Sequence, residues 1–420
     1  MVPYRIESYT SPHKGEVPVS NPILETVARE APRASDNHLP IGLISADSHV
    51  TEPPHCYVDY IDPAYRDRAP RVNRDEEGGD GFVVEGMPGT IPMGIVAAAG
   101  KDPRDIRKGQ TRFSDLHRGG WDGRARIADQ DRDGIVAEIV YPSVGMVVCN
   151  HPDADYKQAC MWAYNRWLSE EFLPAAPGRL FGMGQTAVRS VAEAIEDLRR
   201  FKELGFKGVM MPGNPATEED YDSPAFDPLW RAAIELDLPI SFHILTSRSD
   251  GANSVGAAGE RRSAHRGPPQ NAAQALIKSI QDIVGTFVWG RVFERHPGLR
   301  LVCVEADAGW LPHFAYRMDH GYKRHRFWMK MGDMERLPSE YLAENVYLTF
   351  QDDWTAFRMI DMMNPRRLMW ANDFPHSDST WPWSRELLRG QTVHLTDQQK
   401  AWILRDNAAE LYGIDIHGEL

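Results

Sequence analysis

Asp47 and His49 stand two residues apart where an apolar run ends, in the stretch ISADSHVTEPPH (44–55). Side chains at i and i+2 of a strand project to the same face, so a carboxylate and an imidazole at this spacing can converge on one ion. Other chemistry-bearing residues close later apolar runs: His243 in PISFHILTS, Glu305 in LVCVEADAGW and Asp373 in LMWANDFPHSDSTWP. Asp47, His49, His243 and Asp373 make a mixed nitrogen and oxygen donor set. Such ligands at roughly 2.0–2.2 Å suit zinc, with manganese or iron suited as the carboxylate share rises. One divalent ion per chain is expected. Bound water then loses a proton at about pH 7 rather than near 15.7, so hydroxide becomes available at neutral pH. Asp373 is placed to act as general base, and Glu305 to shuttle the proton or grip the substrate. Glu305 as an orienting partner of a metal-bound histidine is an equal alternative. A lone D-x-H triplet, or an Asp after a strand where helix N-caps are common, says little by itself. The coincidence of several at strand ends carries the expectation.

These residues need elements that bring them together. Short apolar runs recur at 41–47, 135–141, 180–187, 206–212, 239–245, 300–306, 345–351 and 367–372. Most are continuous rather than alternating, as parallel strands covered on both faces require. Helical patterns lie between them. In SVAEAIEDLRRFKELGF the residues Val191, Ala194, Ile195, Leu198, Phe201 and Leu204 form one stripe, closed by Gly205. FDPLWRAAIELDLP, NAAQALIKSIQDIVGTFVWGRVFERHPG and TDQQKAWILRDNAAELYG read likewise. The Trp- and Met-rich runs ACMWAYNRWL and AFRMIDMMN have helical spacing and read as barrel-helix core. Eight strands alternating with helices predict an α/β fold, a (β/α)8 TIM barrel. A doubly wound open sheet is the runner-up, but no GxGxxG follows the first strand.

In such a barrel the C-terminal strand ends face the active site and the N-terminal ends serve stability. Asp47, His49, His243, Glu305 and Asp373 pass this filter. His296, which precedes strand 6, and Lys207, which opens strand 4, fail it; losing Lys207 as a bridging lysine favours one metal over two. Segment 52–122 is too long for a simple βα loop and is expected to be an insertion over the active site, with a small hairpin in GFVVEGMPGTIPMG. Residues 1–40 are polar and Pro-rich, an arm or tail preceding the 41–420 barrel.

His376 and Trp381, after strand 8, are expected to line the pocket. Arg248, after strand 5, is the nearest cation for a substrate carboxylate, with a solvated loop arginine as the plain alternative. Glu52 is expected either to accept from a ligand histidine or to cap backbone after Pro53. The net charge of −13 argues against nucleic acid. Cys56, Cys149, Cys160 and Cys303 show no CxxC pairing, so neither a disulfide framework nor a zinc finger is expected. No apolar run spans a bilayer and the start lacks a signal-peptide core, so a cytoplasmic enzyme acting on a small molecule is expected.

ADSHVTEPP, FHILTS, VCVEADAGWLP and WANDFPHSDSTWP, with GGWDGRARIADQDRDGIVAEIVYPS and DNAAELYGI, resemble the amidohydrolase-2 branch of the amidohydrolase superfamily, which includes the aminocarboxymuconate semialdehyde decarboxylase-like enzymes. The resemblance spans about residues 43–415. It implies a metal-dependent barrel that hydrolyses, hydrates or decarboxylates small acids, with ligation by Asp47, His49, His243 and Asp373 and assembly as a homodimer or higher homo-oligomer. Two departures stand out. Strand 1 carries Asp-x-His where many members carry His-x-His or Glu-x-His. Strand 6 ends in Glu305-Ala306-Asp307 where decarboxylating members place a histidine. The expected activity is therefore hydrolysis of a small carboxylate, amide or lactone-like substrate. Non-oxidative decarboxylation of an aromatic or muconate-type acid is the alternative.

Overall fold

The computed structural model describes residues 37–40, 42–74, 78–247 and 272–416. The barrel strands are β1 (Leu43–His49), β2 (Ile135–Tyr141), β3 (Leu180–Gly182, continued by Gly184–Gln185), β4 (Val209–Met210), β5 (Ile240–His243), β6 (Leu301–Val304), β7 (Val346–Phe350) and β8 (Leu368–Trp370). Each falls inside or against one of the apolar runs. Every residue of β1, β5, β6 and β8 is buried, which is why the runs do not alternate.

All pairings around the barrel are parallel. β1–β2–β3 form one ladder, and the continuation of β3 begins a second that runs through to β8. The change of ladder falls between two glycines. A Cβ on Gly184 would sit 2.6 Å from the Phe201 ring, so only glycine lets the helix Val191–Glu203 approach β3 this closely. β8 returns to β1 through two backbone bonds, His49 N to Phe374 O at 2.7 Å and Asp373 N to Asp47 O at 3.1 Å. The strands therefore close as a (β/α)8 barrel, and the open-sheet runner-up falls.

The helices bury the predicted stripe. In Val191–Glu203, Ala194, Leu198 and Phe201 are fully covered, and Ser190 Oγ accepts from Glu193 N at 3.2 Å. Leu204 departs from expectation: it is 42 % exposed, because the helix has ended and the chain is turning away. Gly205 follows at φ 78° with open space around an added Cβ. Gly205→Ala would thus cost only backbone strain, about 1 kcal/mol. Its urea midpoint should fall accordingly, and an unchanged midpoint would contradict the left-handed cap. Behind β5 the helices Asp227–Glu235 and Ala272–Trp289 meet in an aromatic cluster. Tyr221 lies 5.3 Å from Phe242, and Trp230 5.2 Å from Phe287, offset geometries that add to area burial.

The segment 52–122 contains a small antiparallel sheet, Arg71–Arg74 with Asp80–Val83 and Ile91–Pro92. The expected hairpin is present, with Phe82 opposite Ile91. This insertion reaches the loops at the C-terminal face. Ser377 N donates to Ile95 O at 3.1 Å, Ala99 N to Pro375 O at 3.0 Å, and His151 Nε2 lies 2.7 Å from Glu85 O. Of the expected arm, residues 1–36 lie outside the described residues. Asn37 donates to Arg389 O at 3.0 Å, against the C-terminal helices. Among the described residues no helix is long and apolar enough to cross a membrane.

Candidate metal centre

The barrel brings Asp47, His49, His243, Glu305, Asp373 and His376 together at its C-terminal face, in two overlapping groups whose ligand atoms lie within 4.8 Å of one another. His49 Nε2 is 3.3 Å from Asp47 Oδ1 and 3.4 Å from Asp373 Oδ1. His243 Nε2 is 3.6 Å from both Asp47 Oδ1 and Glu305 Oε2. Asp47, His49, His243 and Asp373 are fully buried.

Hydrogen bonds fix which way the imidazoles face. His49 Nδ1 lies 2.9 Å from Pro142 O and His243 Nδ1 3.0 Å from Ile244 O. A carbonyl can only accept, so each Nδ1 carries the hydrogen and each Nε2 presents a lone pair to the centre. The two Nε2 atoms face each other at 3.2 Å. Ser143 Oγ donates to Val50 O at 2.6 Å and is 2.8 Å from His376 Nε2. His376 Nε2 is therefore the donor there, which turns the Nδ1 lone pair toward Asp373 Oδ1, 3.0 Å away. The His376 ring stacks on His49 with centroids 3.8 Å apart.

Among the described residues no hydrogen bond of good geometry reaches either oxygen of Asp47 or of Asp373. Buried carboxylates without partners cost several kcal/mol each unless a cation compensates. Burial first, and then the neighbouring His376, holds His49 down to about 3. His376 is held to about 3 by burial and then by His243. Both rings are neutral at pH 7 and supply no compensating charge. The Asp47 carboxyl lies below the ordinary range against the push of burial, drawn there by His243 and His49 in their protonated forms; with His49 neutral at pH 7, a bound cation would have to supply that charge. Converging lone pairs around an ionised carboxylate fit a divalent cation and little else, so the donor set agrees with a metal.

Glu305 and Asp373 are pushed well above the ordinary range, chiefly by burial. Asp373 is the next cause for Glu305, and Asp47 for Asp373. Their backbones are also unusual, with φ of 55° at Glu305 and 52° at Asp373. Asp307 (54°) and Leu245 (65°), just past β6 and β5, share this left-handed conformation. Non-glycine residues held there cluster at functional sites.

His376, assigned above to substrate, sits within the ligand cluster itself. Trp381 is packed elsewhere: it is buried with Ala99 and Phe374, and its Nε1 donates to Asp129 O at 2.9 Å. This placement gives no support to a substrate contact, because the one indole donor is taken and the ring is enclosed by the insertion. Arg248 lies outside the described residues. Glu52 does cap backbone, but at a distance in sequence: its Oε1 accepts from Ser143 N (3.1 Å), Val144 N (2.9 Å) and Gly145 N (3.2 Å). His296, with Nε2 3.0 Å from Asp227 Oδ1, and Lys207, with Nζ on Gly413 O at 3.2 Å, are both remote from the cluster, as the strand-end filter requires.

Burial raises the Glu52 carboxyl to about 7, against the opposing pull of the Val144 and Gly145 N–H groups. The folded protein then keeps this proton up to about pH 7 while the unfolded chain releases it near 4.5. Stability must fall as pH rises through that window. Glu52→Gln keeps the accepting oxygen and has no proton to lose. Denaturation of metal-free protein should show the variant gaining on the wild type from pH 5 to pH 8; a constant difference would refute the assignment.

Sequence reasoning overlooked Gln351, Ser143 and Arg126. Gln351 ends the β7 run, is 3 % exposed and lies close enough to Asp373 to pull its carboxyl down, so the strand-end filter applied to every run would have found it. Ser143 and Arg126 act through contacts distant in sequence, which no local spacing reveals.

A family model described as Amidohydrolase matches residues 115–414. A protein named Decarboxylase orsB, from Emericella nidulans, is 25 % identical over 306 residues, covering 70 % of this chain and 89 % of its own. Among solved structures, an amidohydrolase from Mycobacterium avium subsp. paratuberculosis superposes with TM-score 0.70 at 19 % identity, covering 90 % of this chain and all of its own. A 5-carboxyvanillate decarboxylase from Novosphingobium aromaticivorans, complexed with manganese and 4-hydroxy-3-methoxy-5-nitrobenzoic acid, gives TM-score 0.60 at 20 % identity, covering 89 % and 96 %.

Proposed function

The chain belongs to the amidohydrolase family, and on that premise we propose that it is a divalent-metal-dependent decarboxylase of a hydroxylated aromatic acid. What tips the choice from hydrolysis to decarboxylation is the Emericella relative, which aligns over most of its own length and is named a decarboxylase. The solved neighbour that binds manganese with a nitrobenzoate analogue supports the same reading, and manganese suits the carboxylate-rich donor set at least as well as zinc.

Asp47, His49, His243 and Asp373 would hold the ion, with His376 stacked against His49. When bound, a divalent ion supplies positive charge that grips a substrate carboxylate and an adjacent hydroxyl. The protein's own part is to supply a proton. Loss of carbon dioxide leaves an electron pair on the ring carbon, and that carbon must be protonated. Glu305, itself within the cluster and 3.6 Å from His243 Nε2, keeps its proton above the ordinary carboxyl range chiefly through burial. It gives that proton to the carbon and regains one from solvent. The missing strand-6 histidine is then no obstacle, since a protonated carboxyl does the same work.

The test is direct. Manganese-loaded protein incubated with a panel of hydroxybenzoates in deuterium oxide should release carbon dioxide and yield a phenol carrying one deuterium on the former carboxyl carbon. Turnover of an ester, amide or lactone panel with no carbon dioxide release would reinstate the hydrolase. Homo-oligomeric assembly is proposed on the family resemblance, and a cytoplasmic location on the four free, buried cysteines.

A further inference from the structure

β8 and β1 share no ladder, yet three of the four proposed ligands, Asp47, His49 and Asp373, stand along this one seam. Two backbone bonds join its sides, His49 N to Phe374 O and Asp373 N to Asp47 O, so side chains must share in holding the ligand geometry. Ser45 Oγ and Ser48 Oγ cross the seam to Asn372 Oδ1 at 3.0 Å each, and so does the fully enclosed Arg126, in the helix Gly123–Asp133. Its Nη1 donates to His49 O at 3.0 Å and to Gly119 O at 3.1 Å, and its Nη2 donates to Phe374 O at 3.2 Å. Its Nε donates to Glu138 Oε2 of β2 at 2.7 Å. The guanidinium carbon also lies 4.3 Å from the centre of the Phe374 ring.

We propose that Arg126 is a positioning residue for the metal centre: one planar fork fixes the carbonyl of ligand His49 and the carbonyl just after ligand Asp373, and so sets the distance across the seam. The inference rests on the metal site proposed above. The bonding fits a fork better than a point charge, because Nε, Nη1 and Nη2 together serve four acceptors. Glu138 neutralises the charge, so burial is tolerated. Phe374 O also accepts from His49 N at 2.7 Å, which ties staple, ligand and seam into one network. Arg126 touches neither the ion nor substrate; it acts through the backbone that carries the ligands.

Cobalt(II) is a suitable probe, since its visible absorption reports ligand geometry independently of turnover. Arg126→Lys keeps the charge opposite Glu138 but loses the fork. In protein verified as folded by circular dichroism, it should bind cobalt about 10–100-fold more weakly, the range typical of residues that orient ligands, and its visible bands should shift. A folded variant with wild-type affinity and spectrum would overturn the proposal, leaving Arg126 as packing alone. Should the variant fail to fold, hydrogen exchange of the wild type decides. Coupling is reciprocal, so loading the metal should slow exchange in 119–126, a segment that contributes no ligand; unchanged exchange there would overturn the proposal. Wild-type protein that takes up no cobalt would instead refute the metal site itself.

Discussion

His243→Ala should leave the protein folded, empty of divalent metal and reduced in turnover by about 10²–10³-fold or more, the scale on which removal of a transition-state electrostatic contact is felt. His243 is fully buried and shares its Nε2 face with His49, Asp47 and Glu305. Taking it away opens the donor set on the β5 side and leaves Asp47 facing one imidazole. Elemental analysis of protein purified without chelator measures the metal directly. His296→Ala is the matched control: it is buried too, but lies against Asp227 before β6. It should keep one ion per chain while losing stability. Equal metal content in the two variants would show that the strand-end placement does not define the site.

Glu305→Gln should retain metal yet lose about 10²–10⁴ in kcat, the usual worth of a positioned general acid. Glutamine preserves the volume and one accepting oxygen at the end of β6 but cannot deliver a proton to carbon. The pH profile carries a second signature. In the metal-free site Glu305 is pushed above the ordinary carboxyl range by burial and then by Asp373 and Asp47; a bound cation would offset the two aspartates and leave burial to hold the proton, so wild-type activity should decline as pH rises and this group ionises. That alkaline limb should vanish from the residual activity of the variant. Turnover within tenfold of wild type would mean that another group protonates the ring, and Asp373 would be the next to test.

Much of the site was legible in the chain because its chemistry sits where strands stop. Continuous apolar runs demand two covered faces, and eight of them alternating with helices admit few folds besides a closed barrel. Asp47, His49, His243, Glu305 and Asp373 each end one of those runs, so their convergence follows from topology before any coordinate is known. The hairpin in the insertion and the glycine at 205 were readable for similar reasons, since both depend on neighbours a few residues away.

Other parts were settled only by packing. His376 is three residues from Asp373, yet nothing in PHSD says that it stacks on His49 and points Nδ1 at a carboxylate; Ser143, more than two hundred residues earlier, decides that. Glu52 follows β1 closely but caps backbone at 143–145, and Trp381 turns under the insertion because Asp129 O accepts its N–H. Arg126 had no mark of its own among the arginines of GGWDGRARIADQDRDGI. Sequence determines periodicity and therefore which residues end on the same barrel face. The orientation of each side chain on that face depends on hydrogen-bond partners from distant segments, and those exist only once the barrel has closed.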